Sequence, residues 1–205
     1  MAVLAMDYAQ LYAQFRAIPG LVAATATSVL LIVAACLPTV ATNVLAWERV
    51  ALADGELWRL VTAHFAQPVA GDAFASVFGI WIGWAVWRRI IDETAVIAVS
   101  ITLAIATSAA LWLDPRVIGP LAGSSAIGHG WLAYLIAADV LGGRRESLFL
   151  GVGLVIKLGL ETIAPGVLDA DRVLTDSQYV IGHRYAAIAG VAIAALIARF
   201  HSRKK

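Results

Sequence analysis

Charged side chains are scarce in this chain of 205 residues: Asp, Glu, Lys and Arg together make up 14% of it. An average soluble domain carries about a quarter. Hydrophobic residues make up 61% of the sequence, and they come in long blocks. The mean hydropathy is +0.83. The composition therefore predicts a membrane protein and excludes an ordinary soluble enzyme.

Cysteine is nearly absent, and the common metal and cofactor motifs are missing. The single cysteine, Cys36, cannot form an internal disulfide and lies in an apolar block, so we expect it to be a packing residue. No H-E-x-x-H motif, no glycine-rich phosphate loop and no dinucleotide fingerprint occurs. We therefore expect no metal ion, no cofactor and no nucleic-acid partner.

The apolar residues form blocks near the length of about 20 residues that a membrane-spanning helix needs. Six blocks qualify, at 21–43, 60–87, 94–113, 124–141, 148–164 and 181–200. Residues 1–20 are predicted to form an amphipathic segment on the membrane surface, and residues 202–205 a basic tail. The region 21–201 is then one all-α membrane domain of six spanning helices. The first block is expected to be a retained helix and not a cleaved signal peptide.

The charges between the blocks alternate in sign. Arginine and lysine cluster on one side of the predicted bundle, at 16, 88–89, 144–145 and 203–205, and most acidic residues fall on the other side. The positive-inside rule then places both termini in the cytoplasm. Two long loops, 46–59 and 165–180, would face outward, with Trp47 and Trp58 suited to the membrane interface.

A polar stretch interrupts the apolar sequence at 121–135, "LAGSSAIGHGWLAYL". A spanning helix is predicted to begin at the serine pair, so that one serine caps it and the other lies on its first turn. Free backbone N–H groups and the positive end of the helix dipole would surround Ser125, and both favour a developing oxyanion. Ser125 is therefore a candidate nucleophile, with Gly123 and Ser124 beside it.

A histidine lies at the start of the last block, on the same predicted side of the membrane as Ser125. His183 is followed by small residues in "HRYAAIAG", which includes Tyr185 and ends at Gly190. Small residues three or four apart let two membrane helices approach closely. Such packing against the Ser125 helix would bring His183 within reach as a general base.

Four motifs in this order resemble those of the rhomboid superfamily of intramembrane serine proteases: "WRLVTAH" at 58–64, "GSSAIGHG" at 123–130, "KLGLE" at 157–161 and "HRYAAIAG" at 183–190. The lead-in "ERVALADGELWRLVTAHF" and the glycine–histidine pair after the serine are similar to the rhombosortase branch. The resemblance covers nearly all of residues 45–200.

The resemblance implies the six-helix rhomboid fold, with Ser125 as nucleophile and His183 as base, in a dyad that requires no carboxylate. It also implies a site below the outer membrane surface that water can reach. The implied substrates are membrane-anchored proteins with a C-terminal sorting signal, made of a glycine-rich motif, a hydrophobic helix and a basic tail. The implied location is a bacterial inner membrane, with the site open to the periplasm.

The chain departs from the family pattern where that pattern places two histidines and an asparagine in the second helix. The matching positions hold Gln67, Asp72 and Ser76. Gln67 and Ser76 can still donate hydrogen bonds to an oxyanion. Asp72 has three interpretations: a solvated residue of a water-filled cavity, a partner of Arg184 or His183, or a mark of lost catalysis. Alanines also replace family glycines, at positions 126 and 186.

The other polar residues have structural explanations of their own. His129 shares a helix face with Ser125 and is expected to point deeper into the bundle and form a structural hydrogen bond. His64 is expected to bond a loop or anchor at the interface. Lys157 and Glu161, four residues apart, form a predicted ion pair, with substrate contact as the alternative.

Two functions remain open on the sequence alone. The first is an intramembrane serine endopeptidase, favoured by the presence of Ser125 and His183. The second is a catalytically inactive, rhomboid-like protein that binds transmembrane segments, favoured by Asp72 and the two alanines. A small transporter is disfavoured, because no pair of broken helices in matching halves is visible.

Overall fold

The computed structural model describes residues 18–91, 93–163 and 177–203. Within these ranges the regular structure is helical, apart from a single antiparallel bridge between Trp47 and Leu121. The helices are α1 (Leu21–Ala35), α2 (Thr39–Leu45), α3 (Arg49–Ala53), α4 (Arg59–Thr62), α5 (Ala70–Trp87), α6 (Glu93–Leu113), α7 (Ser125–Leu141), α8 (Leu148–Ile163) and α9 (Ser177–Ser202), with a 3₁₀ turn at Arg145–Ser147.

Among the described residues, three helices are long and apolar enough to cross a membrane: α5, α6 and the 178–200 part of α9. Helices α1 and α7 are apolar but shorter. Large apolar side chains cover the outside of the bundle, for example Phe78 on α5 at 68% exposure and Val155 on α8 at 70%. Such an outer surface suits lipid better than water. The prediction of an all-helical fold is confirmed for the described residues, and these three helices are candidates to cross a membrane.

Two of the predicted spans are interrupted by proline. The block 21–43 divides into α1 and α2, and Pro38 stands at the N-cap of α2 with extended backbone angles. The block 60–87 divides into α4 and α5, with Pro68 in the irregular stretch between them. Proline lacks an N–H donor and disfavours helical angles in the residue before it. The second predicted span therefore reduces to an 18-residue helix, α5.

The segment before α5 is packed into the bundle and does not lie loosely at its edge. Trp47 is 1% exposed, and its backbone exchanges two hydrogen bonds with Leu121, at 2.8 and 2.9 Å. Its indole nitrogen donates to the Ser108 carbonyl at 3.3 Å. The prediction of an interfacial Trp47 is wrong, because this side chain fills the core between α6 and the loop after it. Trp58 is 49% exposed, as an interfacial residue would be.

Helices α7 and α9 pack with their backbones in contact. A Cβ atom added at Gly190 would lie 2.1 Å from the Gly130 carbonyl oxygen, and one added at Gly130 would lie 2.9 Å from the Ala186 carbonyl oxygen. Glycine is therefore required at both positions for this spacing. The alanines at the two neighbouring family-glycine positions fit into the packed bundle. Ala186 is completely buried. The Ala126 methyl group faces Gly182, where even an added Cβ would be 3.8 Å away, an ordinary van der Waals contact.

The opposite end of the bundle is fixed by a buried carboxylate. Asp139 on α7 is 4% exposed and accepts two hydrogen bonds of 3.0 Å from Arg89, which follows α5. The Ser147 hydroxyl donates to the same carboxylate. The arginine-rich connections at 88–89 and 144–145 therefore meet at one end of the bundle, as the charge pattern predicts for loops on the same side.

Some predictions concern residues outside the described ranges. These are most of the amphipathic segment (1–17), most of the second outer loop (165–176) and the last residues of the basic tail (204–205). Helix α9 begins at Ser177, ahead of the predicted start at 181, so the end of the predicted loop is helical.

Candidate active site

Ser125 is the first residue of α7, as the sequence predicts. The chain reaches it through Gly123, which has a φ of 137°, a conformation that side chains with a Cβ rarely adopt. The Gly123 N–H donates to the Ala63 carbonyl at 2.9 Å, which ties this turn to the end of α4. Ser124 occupies the N-cap position, but its side chain makes no capping hydrogen bond. The first-turn N–H groups of α7 therefore receive no help from that hydroxyl.

The structure brings the predicted nucleophile and base together. The Ser125 hydroxyl oxygen lies 3.0 Å from Nε2 of His183, which is on the second turn of α9 and 9% exposed. The close contact of α7 and α9 through Gly130 and Gly190 sets this distance. The alanines at 126 and 186 do not prevent the hydrogen bond.

A carboxylate that the dyad does not require lies on the other side of the imidazole. The Glu161 oxygens lie 3.1 and 3.2 Å from Nδ1 of His183. A carboxylate can only accept, so Nδ1 carries the proton and Nε2 presents a lone pair to the Ser125 hydroxyl. This tautomer lets His183 accept a proton from the serine. The carboxylate beside His183 thus belongs to Glu161 on α8 and not to Asp72.

Glu161 is held from a second direction by Lys157, one turn earlier on α8. The Lys157 ammonium donates to Oε1 of Glu161, which is 8% exposed on its side chain, while the lysine side chain is 40% exposed. The ion pair predicted from the i,i+4 spacing is present. Its carboxylate also bonds the imidazole, and sequence spacing gave no sign of this contact because Glu161 and His183 lie on different helices.

His129 lies against the imidazole of His183. The two rings stack with centroids 4.1 Å apart and planes 20° from parallel. Nδ1 of His129 donates to the Ser125 carbonyl at 2.7 Å, so its Nε2 is the bare nitrogen when the ring is neutral. The predicted structural hydrogen bond is present. The predicted direction, deeper into the bundle and away from the site, is wrong, because the hydrogen bond to residue 125 turns the ring back along the helix.

The residues expected to assist an oxyanion form a hydrogen-bonded cluster of their own. The Gln67 amide donates to the Ser124 hydroxyl at 2.9 Å, and that hydroxyl donates to the Ser76 hydroxyl at 2.7 Å. Gln67 is 2% exposed, and its amide oxygen has no partner among the described residues. Ser124 is thereby directed away from His183, which leaves Ser125 as the serine that bonds the base.

Asp72 lies in the first turn of α5 and is half-buried. A carboxylate there interacts favourably with the positive end of the helix dipole. Arg184, one of its proposed partners, donates to the Thr162 hydroxyl. The carboxylate in contact with His183 is that of Glu161.

A small cavity of about 30 Å³ opens beside the Ser125–His183 pair, and His64, Tyr179 and Gly182 contribute to its lining. A water molecule fits in a space of that size. His64 is 5% exposed, and its Nε2 lies 2.9 Å from the Ser108 hydroxyl. That hydroxyl donates its only proton to the Leu60 carbonyl, so His64 is the donor in their contact. His64 thus bonds its segment to α6, in keeping with its predicted structural function.

Tyr185 connects the base-bearing helix to the loop after α6. Its hydroxyl donates to Asp114 at 2.8 Å, and the Arg116 guanidinium donates to the same carboxylate at 2.7 Å. Hydrogen bonds from Arg116 are the main cause that lowers the pKa of Asp114 below its ordinary value, and the pair raises the pKa of Arg116. The sequence signal for this cluster was an aspartate directly after an apolar block, with arginine two residues later.

Comparisons with protein-family models, with curated proteins and with solved structures find no match to this chain.

Proposed function

We propose that this protein is an intramembrane serine endopeptidase of rhombosortase type. The observation that carries the proposal is the hydrogen-bonded series Ser125–His183–Glu161, in which each group has the proton arrangement that nucleophilic catalysis needs. Three helices supply the three residues, and the chain that carries them has helices long and apolar enough to cross a membrane.

Ser125 attacks the carbonyl carbon of a peptide bond while Nε2 of His183 accepts its proton. The imidazolium that forms donates its Nδ1–H to Glu161, whose negative charge stabilises it. The tetrahedral intermediate collapses as His183 protonates the leaving amine. Water in the cavity beside the pair then attacks the acyl-enzyme, with His183 again accepting a proton.

The oxyanion lies at the N-terminus of α7. The first-turn N–H groups of a helix have no acceptor within the helix, and the helix dipole adds positive potential there. Gln67, Ser76 and Ser124 support this turn through their hydrogen-bond cluster, which fixes the residue before the nucleophile. Backbone amides are therefore the primary donors in this mechanism, with the side-chain cluster as their support.

The resemblance of the sequence suggests the substrate class, and the exposed apolar surface of the bundle supports a location in the membrane. We propose that the substrates are membrane proteins with a C-terminal hydrophobic helix, cleaved near a sorting signal. In this proposal the chain crosses a bacterial inner membrane six times, both termini are cytoplasmic, and the site opens to the periplasm.

The test is covalent labelling of purified protein in detergent with a fluorescent fluorophosphonate. Wild type, Ser125→Ala, His183→Ala and Ser124→Ala are compared at equal concentration, and thermal unfolding establishes that each is folded. We expect labelling to disappear in Ser125→Ala and His183→Ala and to persist in Ser124→Ala, whose hydroxyl bonds Gln67 and Ser76 instead of the base.

A folded wild-type protein that takes up no label would overturn the enzyme proposal. The inactive binder of transmembrane segments would then be the better description. Label that persists in Ser125→Ala would assign the reactive serine to another position and refute the mechanism in which Ser125 is the nucleophile.

A further inference from the structure

We propose that His129, Glu161 and His183 form a binding site for zinc or a similar divalent transition-metal ion, which blocks the candidate active site when bound. One donor atom from each residue lies within 4.8 Å of the other two. The donors come from three different helices, α7, α8 and α9, so a short sequence motif cannot reveal them. The absence of H-E-x-x-H therefore does not argue against this site.

The donor set matches the chemistry of zinc. Two imidazole nitrogens and one carboxylate oxygen, with a fourth position open, are a common ligand set for this ion. Glu161 and His183 are both buried, at 8% and 9% exposure. Nε2 of His129 is available, because its Nδ1 proton is committed to the Ser125 carbonyl. The site thus has two buried donors already in contact and a third with a free lone pair.

Binding requires a local rearrangement that the geometry defines. Zinc ligand bonds of about 2.0–2.2 Å place neighbouring donor atoms about 3.3 Å apart. The Glu161–His183 contact already has 3.1 Å, so the contraction falls on His129. Imidazole lone pairs lie in the ring plane, and the two planes are only 20° from parallel. The His129 ring must therefore turn out of the stack to face the ion, and zinc replaces the proton on Nδ1 of His183.

Lys157 opposes the ion, because its ammonium bonds the carboxylate that zinc would use. The lysine side chain is 40% exposed and can move away, but its charge still repels a cation nearby. This opposition has an unusual consequence for a test: removal of the ammonium strengthens zinc binding, while removal of any of the three ligands weakens it.

In the experiment, untagged, chelator-stripped Ser125→Ala protein in detergent is titrated with zinc chloride, and isothermal titration calorimetry measures the stoichiometry and the affinity. Ser125→Ala removes any dependence on catalysis. Variants are added in this background: His129→Phe, which keeps a ring against His183 without a ligand atom, His129→Gln, Glu161→Gln and Lys157→Met. His201→Asn is the control, because residue 201 lies about 27 Å further along α9 at 1.5 Å per residue.

We expect one zinc per protein, affinity at least tenfold weaker in both His129 variants and in Glu161→Gln, tighter binding in Lys157→Met, and no change in His201→Asn. Cobalt in place of zinc should give the visible absorption of a four-coordinate site, and that absorption should be absent in His129→Phe. Equal affinity in the folded Ser125→Ala protein and its His129 variants, or no stoichiometric binding at all, would overturn the site.

The blocking effect rests on the proposed function and is measured separately. Zinc should prevent fluorophosphonate labelling of protein with an intact Ser125, and a chelator should restore it. A protein that binds zinc through these three residues but never takes up the label retains the metal site and loses the peptidase. A protein that is labelled equally with and without bound zinc refutes the blocking effect alone.

Discussion

The imidazole of His183 lies between a hydroxyl and a carboxylate, with Nδ1 3.1 Å from Oε2 of Glu161. The two residues belong to α9 and α8, which converge at the end of the bundle where α7 begins. The contact fixes the tautomer of the histidine and therefore the direction in which a proton can leave Ser125. The contact also makes Glu161 part of the candidate mechanism, although the dyad implied by the resemblance requires no carboxylate.

Glu161→Gln should slow fluorophosphonate labelling by about a hundredfold or more, since loss of the orienting carboxylate costs up to about 10⁴ in a serine triad. The amide keeps the size of the side chain but can donate to Nδ1 and thereby select the wrong tautomer. The initial rate of labelling measures the effect, with thermal unfolding as the check on folding.

Lys157→Met is the matched control for the Glu161 change. An ion pair with a half-exposed lysine contributes about 0–1 kcal/mol, so its removal should lower the labelling rate by less than about fivefold. If Glu161→Gln labels at the wild-type rate, or if Lys157→Met is equally impaired, the carboxylate does not orient the base.

Gly190→Ala should separate α7 from α9. The added methyl group would lie 2.1 Å from the Gly130 carbonyl oxygen, a backbone atom that cannot move without its helix. Overpacking of this kind costs about 1–3 kcal/mol. We expect a lower unfolding temperature and, because the Ser125–His183 distance depends on this contact, a labelling rate reduced by more than about tenfold.

Gly153→Ala on α8 controls for the loss of a glycine in an apolar helix, since the added methyl group there meets no atom within 4 Å beyond its chain neighbours and the nearby backbone of its own helix. It should leave both unfolding temperature and labelling rate near the wild-type values. An unfolding temperature for Gly190→Ala as high as that of the control would mean that the two helices are not in backbone contact.

Local sequence patterns predicted the helical fold and the two central residues of the site. The apolar blocks located α6 and α7 within a few residues, and the serine pair marked the start of α7 because a helix N-terminus has a recognisable local signature. The small residues of "HRYAAIAG" predicted close packing of α9, on which the Ser125–His183 distance depends. In each case the determining interactions are short in sequence or periodic along one helix.

What the sequence did not predict depends on contacts between distant segments. The partner of Glu161, the stacking of His129 on His183 and the burial of Trp47 are each set by how two or more helices meet. The sequence predicted an interfacial Trp47, because an indole suits the membrane interface as well as the protein core. The prolines at 38 and 68 are the exception, because their effect is local: proline breaks a helix, and both lie inside the first two predicted spans.

Arg49→Ala should destabilise the fold by about 2 kcal/mol or more. Its guanidinium nitrogens lie within hydrogen-bonding distance, 2.5–3.3 Å, of the carbonyl oxygens of residues 111, 112, 114 and 117, which end α6 and start the following loop. The carbonyls of residues 111 and 114 also accept backbone N–H groups, so the loss falls mainly on those of residues 112 and 117. A buried carbonyl left without a donor costs about 1–3 kcal/mol, before any relaxation or water entry.

Arg49→Lys tests the geometry of the contact, because a single ammonium cannot reach all of these carbonyls and should recover only part of the loss. Arg145→Ala, at an exposed position, is the control and should unfold at the wild-type temperature. Full recovery by lysine would show that the positive charge alone, and not the arrangement of donors, stabilises this junction.

Asp114→Asn should reveal a pH-dependent contribution to stability at the loop that holds Tyr185. Hydrogen bonds from Arg116 lower the pKa of the folded-state carboxyl below its ordinary value, so the stabilisation is fully present above the unfolded pKa of about 3.9. It is lost as the pH falls from there through the lower folded pKa, because the unfolded state then binds the proton more readily. We therefore expect wild type to unfold at a higher temperature than Asp114→Asn by a constant margin between pH 7 and 5. The margin should shrink below about pH 4. The difference between the two unfolding temperatures at each pH cancels the contribution of the other carboxyl groups.

Tyr185→Phe is the control at the same carboxylate. It should lower the melting temperature through loss of its 2.8 Å hydrogen bond, while the pH dependence that Asp114 contributes remains, since Arg116 still bonds Asp114. A margin between wild type and Asp114→Asn that does not change with pH would mean that the Asp114 charge does not stabilise the folded protein.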